Sequence, residues 1–178
     1  MPRSCRDCLP MMPTELSAVL PARHIQEECG VFGVYDPAGG CAQTTYYGLY
    51  ALQHRGQEAC GIATINDREQ SFYKDVGLVS EVFDKQTLQR LNGTMAVGHV
   101  RYATTGARER ENAQPLTIKY VKGTLAVVHN GNLVGVDQLR QKFEYQGAIF
   151  HTTSDSELIA YAIAQARLRC ASVEEAVC

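Results

Sequence analysis

Apolar and polar positions follow a strand-like pattern in five segments of the chain. Short apolar and β-branched runs, bounded by turn residues, predict strands at 29–35, 61–65, 95–100 and 124–128. A polar and apolar alternation predicts one more strand at 70–74. These segments supply the predicted sheet structure.

Other segments carry apolar residues at helical spacing. This spacing predicts helices at 44–53 and 78–91. Asp137 is a candidate cap for a helix that runs to Tyr145, and the segment 154–157 has the pattern of a capping box for a last helix. Strands come in runs with helices between them, so the pattern favours an α+β fold with antiparallel sheet.

The composition is that of one globular domain. The chain has 178 residues, within the roughly 100 to 200 of an ordinary domain, and 45% of them are apolar. Its formal net charge of −2 argues against nucleic acid or an anionic membrane as a partner. No apolar run approaches the roughly 20 residues of a spanning helix, so we expect a soluble protein without a membrane partner.

The first 28 residues differ from the rest. Four of the six prolines fall in 1–28, which has no clear period, and we interpret it as a propeptide or irregular leader before a domain at 29–178. Seven irregularly spaced cysteines do not form a disulfide framework and favour a reducing, cytoplasmic compartment. Cys5 and Cys8 form a CxxC pair without a second half, so we predict no metal site.

Cys29, at the start of the first predicted strand, is the candidate nucleophile. A cysteine in this position is more often a small buried hydrophobe. If the chain is cut before Cys29, however, the new α-amino group has a reference pKa of about 7.7 to 8.0 and lies within reach of the thiol. The residue then supplies its own general base.

Three other groups are candidates because each follows a strand or opens a helix. Arg101 presents a fork of donors that suits a carboxylate, although a solvated arginine is the plainer reading. The Asn130 side chain and the Gly131 N–H could form an oxyanion donor pair, or a simple turn. Asp155 suits a ligand ammonium, or it only complements a helix dipole. Together these groups would fit an α-amino acid whose side-chain carbonyl is attacked.

Five motifs turn these separate signals into a family resemblance. The segments 27–33, 47–58, 98–106, 129–132 and 153–157 closely resemble, in order, the glutaminase domain of glutamine phosphoribosylpyrophosphate amidotransferases. The resemblance covers about residues 25–169. It implies the N-terminal-nucleophile fold, a four-layer αββα sandwich of two mainly antiparallel sheets, here incomplete at its C-terminal end.

The resemblance also implies a role for each matching residue. Cys29 matches the nucleophile exposed by propeptide removal, and Asn130 and Gly131 match the oxyanion hole. Arg101 matches the residue that holds the glutamine α-carboxylate, and Asp155 the one that holds its α-ammonium.

Three more residues belong to the same motifs. Tyr102 and Thr104 are expected to line the glutamine pocket, and Arg55 is expected near the nucleophile. His99 matches a motif position to which we assign no role.

By resemblance, the domain hydrolyses glutamine and supplies ammonia for phosphoribosylamine formation in purine biosynthesis. The acceptor half belongs to a missing phosphoribosyltransferase domain, which would be the partner, and homo-oligomerisation stays open. We expect no cofactor in this segment, since Mg²⁺ and an iron–sulfur cluster would belong to the missing part.

Two alternatives remain open from the sequence. One is a non-catalytic glutamine-binding or interaction module, in which Cys29 is never exposed. The other is the glutaminase domain of glucosamine-phosphate synthase, against which a 28-residue leader argues, because that family exposes its cysteine by losing only the first methionine.

Overall fold

The computed structural model of the chain describes residues 29–66, 69–102 and 110–177. The strands are β1 (Gly30–Tyr35), β2 (Ala59–Asn66), β3 (Glu69–Val76), β4 (Met95–Arg101), β5 (Leu116–Tyr120) and β6 (Gly123–Val127). The helices are α1 (Cys41–Ala51), α2 (Val79–Val82), α3 (Lys85–Arg90), α4 (Val136–Tyr145), α5 (Asp155–Arg167) and α6 (Val173–Val177). The proposed leader, 1–28, lies outside the described residues.

The described strands form two antiparallel sheets. The larger has the order β1-β4-β2-β3, and β5 pairs with β6 in a two-stranded sheet. The start of β1 lies beside the end of β4, with Gly30 opposite Val100. This pairing brings the residue before β1 to the end of β4.

One face of the larger sheet packs against α1 and α2. Successive side chains of a strand point to opposite faces, and here alternate residues of β2 and β4 enter an apolar core. Leu49 of α1, Ile62 of β2 and Val79 of α2 are fully buried in it, together with Val100 of β4. Burial of each such side chain stabilises the fold by about 1.5 to 3 kcal/mol.

Two glycines allow this close packing. An added Cβ on Gly98 of β4 would lie 2.6 Å from a Thr45 methyl carbon, and one on Gly48 of α1 would lie 2.5 Å from the Phe32 ring. Any larger residue would push helix and sheet apart.

The other face of the larger sheet meets the second sheet. An added Cβ on Gly61 of β2 would lie 2.3 Å from the main-chain oxygen of Gln114, just before β5. Helix α5 packs on the far side of β5 and β6, and its Leu158 joins Phe143 of α4 in a second apolar cluster. Helices, sheet, sheet and helices therefore follow one another, and the predicted four-layer α+β sandwich is confirmed.

The structure corrects several predicted elements. The helix expected at 78–91 is two short helices, because Phe83 is extended and the Asp84 carboxylate caps α3 by accepting from the Thr87 N–H at 2.7 Å. Helix α4 is preceded by Gly135 in a left-handed conformation, so Asp137 lies in its first turn rather than at its cap. Strand β5 was not predicted.

The predicted start of α5 is half right. Ser154 caps the helix by accepting from the Ser156 N–H at 3.2 Å. The Glu157 carboxylate does not close the capping box, because it accepts instead from the main chain of His151 and Thr152. Among the described residues, no helix has the length and apolar character needed to cross a membrane.

Candidate active site

Cys29 lies at the joint between β1 and β4. Its φ is 53°, in the left-handed region that residues other than glycine seldom adopt, and such residues cluster at functional sites. Its Sγ lies 3.9 Å from the main-chain oxygen of Tyr102, directly after β4. The strand pairing therefore sets the thiol beside the end of β4.

Two side chains hold the main chain of Cys29. Arg55 Nε donates to the Cys29 carbonyl oxygen at 2.8 Å, and Asn130 Nδ2 approaches the same oxygen at 3.5 Å. Arg55 therefore contacts the backbone of the candidate nucleophile, near which it was expected. The Asn130 amide, expected to serve an oxyanion, lies next to the residue whose thiol would attack.

Arg101 ends β4 and is held by an acidic partner that sequence analysis missed. Its Nη1 lies 3.1 Å from Glu58 Oε1, and the two side chains are 17% and 8% exposed. The second Glu58 oxygen is buried without a hydrogen-bond partner among the described residues. Because a guanidinium has five donors, this pairing fixes the fork and leaves other donors for a ligand.

Asp155 opens α5 and does more than complement the helix dipole. Its Oδ2 accepts from the Leu133 N–H at 2.9 Å, and its Oδ1 lies 3.8 Å from His129 Nδ1. The carboxylate thus ties the loop after β6 to the start of α5. Oδ2 holds that loop through its hydrogen bond, and Oδ1 faces the His129 side chain.

His99 is a fully buried histidine between these groups. The pKa of its imidazole is lowered from 6.5 to about 4, mainly by burial and in smaller part by the nearby Arg101 charge. The main chain of His129 favours the charged ring to a lesser extent. His99 is therefore neutral at physiological pH.

These groups surround one cavity of about 420 Å³. Six of the eight residues predicted from the sequence line it: Cys29, Arg101, Tyr102, Asn130, Gly131 and Asp155. Arg55 acts behind it on the Cys29 carbonyl, and Thr104 lies outside the described residues. A small zwitterion with one uncharged polar arm would meet a cation, a carboxylate and a thiol here.

Sequence reasoning missed several residues that build the cavity wall. Asn112, Gln114, His129 and Leu133 line it, and Glu58 supports Arg101. Glu58 stands inside a motif that carried the resemblance, which was a usable signal. In the part of the chain that the structure describes, no group of three or more His, Cys, Asp or Glu side chains is placed to hold a metal ion.

A glutamine amidotransferase domain is the class that this fold and cavity define. The family model described as "Glutamine amidotransferase domain" matches residues 83–173, just over half of the chain. The chain belongs to this family.

Relatives with curated names identify a branch of the family. The chain is 54% identical over 140 residues to an amidophosphoribosyltransferase of Synechocystis, with 78% of this chain and 28% of the relative covered. It is 46% identical over 150 residues to the amidophosphoribosyltransferase of Methanocaldococcus jannaschii, with 84% and 32% covered. The chain thus spans about 30% of the length of these relatives.

Solved structures agree with the sequence relatives. One described as the allosteric regulatory enzyme of purine biosynthesis superposes with a TM-score of 0.74 at 43% identity, over 83% of this chain and 31% of that one. The Bacillus subtilis glutamine phosphoribosylpyrophosphate amidotransferase in complex with ADP and GMP gives 0.72 at 42% identity, with the same coverage. The resemblance to the glutaminase domain of amidophosphoribosyltransferases is confirmed.

Proposed function

We propose that this chain hydrolyses glutamine to glutamate and ammonia, with Cys29 as nucleophile. The observation that carries the proposal is the convergence of Cys29, Arg101, Asn130 and Asp155 on one cavity. The sequence brings these residues from four separate segments. Their chemistry matches the three parts of glutamine that need recognition, namely a carboxylate, an ammonium and a carboxamide.

The reaction proceeds through a thioester. The Cys29 α-amine accepts the thiol proton, and the thiolate attacks the glutamine carboxamide carbon to form a C–S bond. The C–N bond then breaks, and ammonia leaves with the proton returned by the amine. Water attacks the thioester, breaks the C–S bond, and yields glutamate and the restored thiol.

The cavity groups divide the work of recognition and stabilisation. Arg101, oriented by Glu58, takes the α-carboxylate, and Asp155 takes the α-ammonium. The Asn130 amide and the Gly131 N–H receive the developing oxyanion, a stabilisation worth roughly 3 to 4 kcal/mol for a donor of this kind. Tyr102 lines the pocket and Arg55 fixes the Cys29 carbonyl. The resemblance alone assigns Thr104 to glutamine binding.

In the whole protein, the ammonia would serve the formation of phosphoribosylamine. This extension rests on the names of the relatives, and the acceptor half is assigned to a phosphoribosyltransferase domain as partner. Mg²⁺ and any iron–sulfur cluster are assigned to that part as well. We propose a cytoplasmic location, which the cysteine usage supports, because Cys41, Cys60 and Cys170 form no disulfide among the described residues.

Ammonia release from glutamine by the purified chain tests the proposal, with N-terminal sequencing of the same sample. We expect release from a chain that begins at Cys29, and loss of at least about 10³-fold in Cys29→Ala. Cys170→Ala is the matched control and should keep full activity. Undiminished release by Cys29→Ala would overturn the mechanism, and glutamine binding without release by a Met1 chain would favour a binding module.

A further inference from the structure

Gln114 lies at a close contact between the two sheets. It precedes β5, is 7% exposed and lines the cavity wall. Its main-chain oxygen faces Gly61, at a position where an added Cβ would be only 2.3 Å away. The backbone of Gln114 therefore rests on the larger sheet, and its side chain extends toward the loop after β6.

The Gln114 side-chain amide forms two hydrogen bonds with the main chain of His129. Its Oε1 accepts from the His129 N–H at 2.6 Å, and its Nε2 donates to the His129 carbonyl at 3.2 Å. These two bonds satisfy the His129 main chain in the way that a neighbouring strand would, although β6 has already ended. It fixes the residue that directly precedes Asn130 and Gly131.

The same amide reaches the helix that carries Asp155. Gln114 Nε2 donates to the fully buried Ser156 Oγ at 3.0 Å, and Ser156 Oγ approaches Asp155 Oδ1 at 3.5 Å. One side chain thus joins the Asn130 loop to the start of α5. Both of its polar atoms are used, as expected for a buried amide.

We infer that Gln114 is a positioning residue for glutamine hydrolysis, one that sets the Asn130–Gly131 donors against the Asp155 carboxylate. The inference rests on the proposed function. Gln114 need not touch the substrate, because it acts through His129 and Ser156. Donors that stabilise an oxyanion are effective only when they are fixed before the reaction, and a displacement of about 1 Å can lower a rate by about 100-fold.

The contacts predict a split between turnover and binding. Two of the three Gln114 hydrogen bonds hold the oxyanion side, and one reaches the ammonium side. Loss of all three should therefore lower kcat more than it raises KM. Ser156→Ala removes the link to α5 alone, so it should raise KM for glutamine more than it lowers kcat.

The experiment compares Gln114→Met, which keeps the shape and loses the hydrogen bonds, with the unaltered chain. We expect kcat for ammonia release to fall about 10- to 100-fold, with KM for glutamine raised less than about fivefold. Amide hydrogen exchange in 129–132 should become at least about tenfold faster, while exchange in β2 and β4 stays unchanged. Gln138→Met, the same substitution at an exposed position of α4, is the matched control. It should change neither the kinetic constants nor the hydrogen exchange in 129–132.

The outcomes separate the two proposals. Unchanged exchange in 129–132, or faster exchange with unchanged kcat, would overturn the role of Gln114. If the unaltered chain releases no ammonia, the proposed function fails, yet faster exchange in Gln114→Met would still support its hold on the loop. If Gln114→Met does not fold, Gln114→Glu serves instead, since it keeps an acceptor for the His129 N–H and loses both donated bonds.

Discussion

The two faces of β4 make different kinds of interaction. Gly98 and Val100 point into the apolar core beside α1, where contacts are close and polar groups are few. His99 and Arg101, their neighbours in the strand, face the cavity, where Arg101 pairs with the Glu58 carboxylate. A single strand therefore separates a region that supplies stability from one that supplies chemistry.

The difference shows how the cavity can hold charged groups at fixed positions. The helix face is close-packed, so a methyl group added there meets side chains that have nowhere to move. The cavity face instead uses directed bonds, such as Glu58 to Arg101 and Asp155 to the Leu133 N–H. Substitutions on the helix face should therefore change stability alone, whereas those on the cavity face should also change binding or turnover.

The strongest test of this division is Asp155→Asn. The amide keeps an acceptor for the Leu133 N–H but loses the charge that would face a ligand ammonium. We expect glutamine binding to weaken by about 2 to 5 kcal/mol, while stability changes by no more than about 1 kcal/mol. Glutamine titration and thermal unfolding on one preparation would measure both.

The control for this prediction is Asp137→Asn, an exposed acid in the first turn of α4. It should leave glutamine binding unaltered. Near-normal turnover of Asp155→Asn at low glutamine would return Asp155 to a purely structural role.

Two glycines, one on each face of the larger sheet, allow a paired test of this division. Gly61→Ala places a Cβ against the main chain of Gln114, whereas Gly98→Ala places one against the side chains of Thr45 and Leu49. We expect Gly61→Ala to cost about 2 to 3 kcal/mol of stability and most of the activity, and Gly98→Ala to cost about 1 to 2 kcal/mol with KM unchanged. Equal effects of both variants on KM would contradict the division.

The pH dependence of stability tests the buried His99. Its pKa is about 4 in the folded state against 6.5 as an ordinary value, so the unfolded chain binds a proton that the folded chain does not. Its contribution is present above pH 6.5 and is lost as the pH falls toward 4, by about 2 kcal/mol between pH 7 and 5. Denaturant unfolding at several pH values should show this loss in the unaltered chain and a smaller one in His99→Gln.

The smallest expected effect is that of Arg101→Lys. Lysine keeps the charge but cannot bond Glu58 and a ligand carboxylate with the same fixed fork. We expect glutamine affinity to fall about tenfold, or about 1.4 kcal/mol, with a smaller change in stability. Arg90→Lys in α3 is the control, and an affinity within about twofold for Arg101→Lys would make Arg101 a structural residue.

Much of the sheet could be predicted because its strands are apolar on both faces. The runs that became β1, β2 and β4 contrast sharply with their flanking turns. Strand β5 was missed because Leu116–Tyr120 is short and mixes apolar with polar residues. The break between α2 and α3 escaped attention because the cap formed by Asp84 lies inside an otherwise helical pattern.

The site was predictable where a residue stands at an element end and carries its own chemistry. Cys29, Arg101 and Asp155 fit that description, and the family motifs imply a role for each of them. Glu58 and Gln114 could not be found this way, because their importance lies in distant partners. Gln114 forms hydrogen bonds with residues 15 and 42 positions later in the chain. Nothing in the sequence around it distinguishes this glutamine from an exposed one.

The antiparallel pairing of β4 with both β1 and β2 also limits how the gene can vary in length. Because side chains alternate strictly along a strand, one inserted or deleted residue would exchange the two faces beyond that point. His99 and Arg101 would turn into the apolar core, and Val100 would turn toward the cavity. Single-residue insertions and deletions within Met95–Arg101 should therefore destroy the arrangement of side chains in the cavity. A change of length in a loop leaves the alternation along β4 intact.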